Sequence, residues 1–133
     1  MSASGELSLT GQVAPSPLLK SQSSTISAAK MQVIFFNKKA EKFFQSLKEP
    51  LGTRADRSLH LLKEYGNNLR MPYSKPLGGE LFELRIVGST HIRFIYTFHN
   101  DSAWILHGFI KKTNKIPRAE ISYTQKQLRL LLQ

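Results

Sequence analysis

Residues 81–110 read LFELRIVGSTHIRFIYTFHNDSAWILHGFI and predict the three consecutive strands that decide the fold. In residues 81–87, and again in residues 91–99, apolar side chains alternate with polar ones, which is typical of strands with one buried face. Residues 103–110 are apolar on both faces, as in a central strand. This third pattern leaves open which side of the sheet His107 faces.

The turn between the first two strands determines which side chains lie opposite each other. A three-residue loop over residues 88–90 places Leu84 opposite Phe94, whereas a two-residue loop would mix apolar and polar side chains on both faces. Since one face must be buried, we predict the three-residue loop, which also sets Arg85 opposite Arg93 on the open face. Two like charges directly opposite each other are destabilising, so this pair indicates a functional use.

Outward from these strands, hydrophobic spacing and capping residues predict a first strand and three helices. Gly and Pro residues ahead of the quoted stretch predict a loop. The predicted elements are a strand over 33–36, a helix from the N-cap Asn37 to about Lys48, a helix from Thr53 to about Gly66, a loop over 67–79 and a helix that begins at Pro117. The order β-α-α-β-β-β-α describes a small single α+β domain, with a helical hairpin packed on a mostly antiparallel sheet.

The first 30 residues differ in composition from the rest of the chain. They contain eight Ser, two Thr, two Pro and two Gly, with no aromatic residue and no sustained helical or strand period. Such a segment buries too little apolar surface to offset the entropy lost on ordering it. We expect residues 1–30 to be a flexible N-terminal tail, or an extension upstream of a natural start at Met31, and residues 31–133 to form the domain.

Charge and composition narrow the possible function classes. The chain has 133 residues, 19 Lys and Arg against 9 Asp and Glu, and no Cys. A net charge of +10 favours a polyanionic partner, most often nucleic acid. The absence of Cys excludes disulfides and thiolate chemistry, and the sequence has no long apolar run for a membrane span, no P-loop and no paired carboxylates. We expect a cytoplasmic protein without metal or cofactor.

Basic residues are concentrated on the predicted open face and in the segment that follows the third strand. They are Arg85, Arg93, Lys111, Lys112, Lys115 and Arg118, with Lys75 in the loop before the strands. Arg can bind phosphate with two donors, and Lys acts as a point charge. In RNA cleavage without metal, the 2′-hydroxyl attacks its own phosphate, and such cations stabilise the developing charge. A merely solvated or partner-binding face is the alternative.

Four blocks of sequence follow one another in a recognisable order. They are Gly79–Ile86 with the pattern G-x-L-x-E-L-R, Ile92–Tyr96 with its strand Arg, Leu106–Thr113 with H-G-F-x-K-K-T, and Lys115–Ile121 with its Pro. Over about residues 32–123 the chain resembles the RelE/ParE toxin superfamily, and most closely its phage-derived, HigB-like branch. The resemblance implies a toxin of a type II toxin–antitoxin pair, typically a ribosome-dependent endoribonuclease that cuts mRNA. It also implies a small antitoxin partner, often a helix-turn-helix protein.

The resemblance further implies roles for individual residues. Arg93 matches the superfamily's transition-state arginine, and Lys111 or Lys112 matches the basic residue after the last strand. Some relatives carry a catalytic Tyr near the C-terminus, for which Tyr123 is the candidate. We therefore predict as catalytic residues Arg93, Arg85, Lys112, Tyr123 and His107, and as RNA-binding residues Lys75, Lys111, Lys115 and Arg118. The alternative functions are a ParE-like inhibitor of DNA gyrase and a non-catalytic basic binding module.

Overall fold

Five strands and three α-helices follow one another in the computed structural model, which describes residues 31–89 and 91–133. In chain order they are β1 (Gln32–Phe35), α1 (Lys38–Gln45), α2 (Leu51–Tyr65), a 3-10 turn (Gly66–Asn68), β2 (Ser74–Gly78), β3 (Leu81–Arg85), β4 (Ile92–His99), β5 (Ser102–Ile110) and α3 (Arg118–Leu132). None of these helices is long and apolar enough to cross a membrane. The predicted tail, residues 1–30, lies outside the described residues.

The five strands form one sheet in the order β1-β5-β4-β3-β2. Strand β1 runs parallel to β5, and every other neighbouring pair in the sheet is antiparallel. The antiparallel part consists of strands that are consecutive in the chain, because short turns let sequential strands pair with each other. The predicted class, a small α+β domain with a mostly antiparallel sheet, is confirmed.

Strands β3 and β4 pair in the register that the alternation of side chains predicts. Leu84 lies opposite Phe94, and Arg85 lies opposite Arg93. Leu84 and Phe94 are fully buried in the main apolar core. A shift by one residue would move every side chain of a strand to the other face, so burial of the apolar pair also fixes the two arginines opposite each other.

Strand β5 is apolar on both faces because helices cover both, and it also contains one extra residue relative to β4. Ile95 of β4 pairs with His107, whereas the next residue, Tyr96, pairs with Ile105. Leu106 is therefore a bulged residue without a partner on β4. It is buried in the apolar cluster that includes residues of α3, and His107 contacts α3 as well. His107 therefore lies on the α3 side of the sheet, which the sequence left open.

The two faces of the sheet are covered differently. Helices α1 and α2 pack on one face, which we call the hairpin face, around Phe94, Tyr96 and Ile105. Helix α3 packs on the other, which we call the α3 face, where Ile95 and Leu106 are buried. The contacts of α3 with the sheet lie mainly along β5. On this face, Leu81 and Glu83 of β3 are buried, whereas Lys75 of β2 is exposed.

The prediction of a loop over residues 67–79 is wrong for its second half. Residues Ser74–Gly78 form β2, an edge strand that pairs with β3. Pro76 has no N–H to donate, which an edge strand tolerates because no other strand among residues 31–89 and 91–133 pairs with its outer side. The register is irregular between Pro76 and Gly78. The Pro and Gly content that predicts a loop here reflects the edge position of this strand.

The helix boundaries agree with the predictions except near the α1–α2 connection. Asn37 caps α1 as predicted, through its side-chain oxygen, and the helix ends at Gln45, slightly earlier than expected. Helix α2 begins at Leu51, ahead of the predicted cap Thr53. The carboxylate of Glu49 accepts hydrogen bonds from the N–H and the hydroxyl of Thr53. A residue of the connecting segment therefore satisfies a donor of the first turn, as N-terminal caps do.

Candidate functional site

The two paired arginines share one carboxylate. Glu83 precedes Arg85 by two residues on β3, so both side chains point to the same face of the sheet. Glu83 Oε1 accepts a hydrogen bond from Arg85 Nε at 3.3 Å, and Glu83 Oε2 accepts one from Arg93 Nε at 3.1 Å. We call Glu83, Arg85 and Arg93 the arginine cluster. In it, one negative charge holds two positive charges side by side.

The prediction that both guanidinium groups lie on an open face is wrong for Arg93. Its side chain is 9% exposed and that of Arg85 is 30% exposed, while that of Glu83 is 3% exposed. Arg93 Nη1 also donates a hydrogen bond to the carbonyl of Ile92. Because the buried carboxylate offsets the repulsion between the guanidinium groups, Arg93 can be largely covered. The cluster therefore presents mainly Arg85 to solvent.

A second polar pair joins β5 to α3 beside Phe109. His107 Nε2 and Glu120 Oε1 are 2.6 Å apart, and the side chain of His107 is 3% exposed. The imidazole stacks on the ring of Phe109, with 5.2 Å between the centroids, and Phe109 lies opposite Arg93 in the sheet. The other ring nitrogen, His107 Nδ1, is buried with no hydrogen-bond partner in the described part of the chain. The pair and the arginine cluster thus occupy neighbouring positions on the α3 face.

Tyr123 of α3 contacts the imidazole of His107, with 4.6 Å between the ring centroids. The ammonium group of Lys39 on α1 lies 4.3 Å from the centroid of the Tyr123 ring, a distance typical of cation–π contacts. Burial raises the pKa of the Tyr123 hydroxyl above its ordinary value, so this group stays protonated at neutral pH. Asn37 donates from Nδ2 to Gln127 Oε1 of α3 at 3.0 Å. These contacts fix α1 and α3 around His107.

The predicted RNA-binding residues lie on β2, at the end of β5, in the connection to α3 and at the start of α3. Lys75 of β2 lies opposite Glu83, so its side chain is on the α3 face. Lys111 follows β5, where its N–H donates to the carbonyl of His91. The connection to α3 carries the exposed residues Lys112, which is predicted as catalytic, and Lys115, and Arg118 is the exposed first residue of α3. Among residues 31–89 and 91–133, no side-chain hydrogen bond or ion pair joins these basic residues to the cluster, and no group of three or more acidic or His side chains is placed to hold a metal ion.

A model of one known protein family matches more than half of the chain. The model described as Phage derived protein Gp49-like (DUF891) matches residues 42–129. The chain belongs to the Gp49-like family. This family is associated with toxin–antitoxin systems and is related to RelE-like toxins. A search of curated proteins finds no match.

Membership of the Gp49-like family confirms one part of the resemblance described above: the chain is related to RelE-like toxins. The matched segment contains the whole arginine cluster and also His107, Glu120 and Tyr123. Lys39, which contacts the ring of Tyr123, precedes that segment. The HigB-like branch and the nuclease chemistry stay predictions.

Two acidic residues of the candidate site, Glu83 and Glu120, are not among those that the sequence predicts. A signal exists for Glu83, because it shares the polar side of β3 with Arg85, and the predicted register brings Arg93 within diagonal reach across the strands. No comparable signal exists for Glu120. Its approach to His107 depends on how α3 packs on the sheet, which the local pattern of α3 does not determine.

Burial of His107 gives this Gp49-like fold a predictable dependence on pH. Burial lowers the pKa of the imidazole below its ordinary value, although the hydrogen bond and the charge of Glu120 act in the opposite direction. The unfolded chain therefore takes up a proton near its ordinary pKa of about 6.5, and the folded chain does so only at lower pH. The contribution of His107 to the free energy of unfolding is therefore fully present above the unfolded pKa of about 6.5, and it decreases as the pH falls below that value. We expect His107→Gln, which does not titrate, to reduce this fall.

Urea denaturation between about pH 5 and about pH 8 measures the free energy of unfolding that this prediction concerns. The matched control is His60→Gln, because His60 is exposed and its contact with Asp56, at 3.5 Å, is at the surface. This control should keep the pH dependence of the wild type. An unchanged pH dependence in His107→Gln would contradict the assignment of the effect to His107.

Proposed function

We propose that the chain is the toxin of a type II toxin–antitoxin pair and that it cleaves mRNA on the ribosome as a metal-independent endoribonuclease. Its membership of a toxin–antitoxin-associated family supports the first part. The arginine cluster is the single observation that carries the second part, since two fixed guanidinium groups can offset the charge of one phosphate in its transition state. The four sequence blocks favour the HigB-like branch.

The proposed reaction is a phosphoryl transfer within the RNA. The 2′-oxygen forms a bond to the adjacent phosphorus while the bond from phosphorus to the 5′-oxygen breaks, which yields a 2′,3′-cyclic phosphate and a 5′-hydroxyl. One proton leaves the 2′-hydroxyl and one reaches the 5′-oxygen. Arg85 and Arg93 offset the charge on the non-bridging oxygens, and Lys112 supplies a further positive charge in this proposal. His107 and Tyr123, whose rings are in contact, are the candidates for proton transfer.

In this proposal, the remaining basic residues of the sheet, of the connection to α3 and of the first turn of α3 bind the RNA backbone on either side of the cleaved phosphate. They are Lys75, Lys111, Lys115 and Arg118. A face with this charge also suits an acidic segment of a small antitoxin, and the resemblance to the HigB-like branch favours a helix-turn-helix protein. The site of action is the ribosome, and hence the cytoplasm.

Expression of the full chain in growing cells, followed by primer extension, tests the proposal. We expect growth arrest and new mRNA 5′ ends inside translated codons, because a ribosome-dependent nuclease cuts only where the ribosome presents the mRNA. New ends spread equally over untranslated RNA would contradict the ribosome dependence. Growth arrest without any new ends would contradict the nuclease activity itself.

The burial of Arg93 favours one second candidate, ParE-like inhibition of DNA gyrase by binding alone. An arginine side chain that is 9% exposed and bound to Glu83 also suits a purely structural role. A supercoiling assay with purified full-length protein separates the two functions, because a gyrase inhibitor blocks supercoiling and leaves RNA intact. Neither gyrase inhibition nor RNA cleavage, with no growth arrest, would indicate a non-catalytic basic binding module.

A further inference from the structure

We infer that Glu83 is a positioning residue that makes Arg85 and Arg93 a single receptor for one phosphate group. This inference rests on the proposed function for its biological meaning, because the phosphate would be the one cleaved in the RNA. It goes beyond the arginines themselves, since it assigns their catalytic geometry to an acidic residue. Glu83 acts only through the two arginines and does not touch the substrate.

The hydrogen bonds of the cluster leave a specific set of donors free. Each oxygen of Glu83 accepts a hydrogen bond from the Nε of a different arginine. Arg93 Nη1 is taken by the carbonyl of Ile92. The donors that remain without a partner among the described residues are both Nη groups of Arg85 and Nη2 of Arg93. Because the Nε atoms are engaged, the free donors are those at the outer ends of the two guanidinium groups.

The carboxylate determines both the spacing and the direction of these donors. Arg85 and Arg93 are opposite each other in the sheet, and without a shared anion their like charges would drive the flexible side chains apart. Glu83 is nearly fully buried, so it cannot follow them into solvent. Two charge-assisted hydrogen bonds from one rigid carboxylate therefore orient both guanidinium groups before any RNA arrives.

The variant Glu83→Gln separates this inference from simple electrostatics. It removes a negative charge, so electrostatic attraction alone predicts tighter binding of phosphate. The amide oxygen can accept from one arginine, but the amide NH₂ then faces the Nε–H of the other, and two donors cannot form a hydrogen bond. If Glu83 positions the arginines, Glu83→Gln should therefore bind phosphate more weakly, which is the opposite of the electrostatic expectation.

The experiment is an NMR titration of the full-length protein with inorganic phosphate at constant ionic strength, observing the Nε–Hε signals of Arg85 and Arg93. In the wild type we expect both signals to move along one binding curve. In Glu83→Gln we expect at least about tenfold weaker binding and two curves that no longer coincide. The matched control is Glu80→Gln, which removes the same charge from an exposed position next to β3 and should not weaken binding.

Two further results make the outcome decisive. Glu83→Asp keeps the charge but shortens the side chain by one methylene, so it should also lose the shared binding curve, and it serves if Glu83→Gln does not fold. If Glu83→Gln binds phosphate as tightly as the wild type or more tightly, the inference is overturned, even if the wild type cleaves mRNA. A different result is also informative. If Glu83→Gln loses phosphate binding and the wild type does not cleave mRNA, the phosphate receptor is supported and the proposed function is overturned.

Discussion

Arg93→Ala is expected to remove mRNA cleavage in growing cells while the protein stays folded. We expect cleavage to fall at least about 100-fold, the size of effect that follows loss of one preorganised donor from a site that stabilises developing charge. Arg93 is preorganised in this sense, because Glu83 and the carbonyl of Ile92 both fix its guanidinium group. Primer extension on the same transcripts, in cells with equal amounts of each protein, measures the change.

The same substitution affects stability, which must be measured alongside cleavage. It leaves Glu83 Oε2 buried without its partner, at a cost of about 1–3 kcal/mol, while Arg85 stays bound to Oε1. Circular dichroism should therefore report a lower melting temperature and an unchanged spectrum below it. Arg93→Lys distinguishes charge from geometry, because Lys keeps the charge but lacks the planar set of donors. We expect it to leave cleavage close to the level of Arg93→Ala.

The control for net charge is Arg57→Ala. Arg57 is exposed on α2, which packs on the hairpin face, across the sheet from the arginine cluster. Its removal weakens only the general attraction to RNA, which salt screens, so we expect less than about a threefold loss of cleavage. Equal loss in Arg57→Ala and Arg93→Ala would mean that total charge governs activity. Cleavage by Arg93→Ala at the wild-type rate would contradict the mechanism.

The register of β3 and β4 can be predicted from the sequence because it depends on a local property. Alternation of apolar and polar side chains is visible in each strand, and only one loop length lets both apolar sets share a face. The opposition of Arg85 and Arg93 follows directly and agrees with the structure. The sequence does not predict how the pair is stabilised: the attraction of each arginine to Glu83 offsets the repulsion between the two guanidinium groups.

The features that the sequence does not reveal depend on contacts between distant elements. The bulge at Leu106 is one of them, because apolar residues on both faces of a strand fit a regular central strand equally well. Strand β2 is another, since its Pro76 and neighbouring Gly residues are typical of loops and are tolerated only at the edge of the sheet. The pairing of His107 with Glu120 is a third, because it requires the packing of α3 on β5.

Gly108→Ala is expected to destabilise the fold strongly for a change of one methyl group. Gly108 lies opposite Phe94 in β5, and a Cβ atom at this position would lie 2.5 Å from Phe43 Cδ2 and 2.8 Å from Phe94 Cε1. The two rings pack edge to face, with 5.7 Å between their centroids, so neither can move without disturbing the core. Such overpacking costs about 1–3 kcal/mol, and each kcal/mol lowers the melting temperature of a domain of this size by roughly 4–8 °C.

A double-mutant cycle with Phe43→Ala tests the cause of this loss. If the new methyl group meets the Phe43 ring, removal of that ring should reduce the additional cost of Gly108→Ala, so the two effects should be less than additive. Strictly additive effects, or an unchanged melting temperature for Gly108→Ala, would contradict the steric explanation. Because Gly108 faces α1 while the arginine cluster lies on the α3 face, the folded fraction of Gly108→Ala should cleave mRNA as the wild type does. Loss of stability without loss of cleavage would therefore distinguish Gly108→Ala from Arg93→Ala, which is expected to lose both.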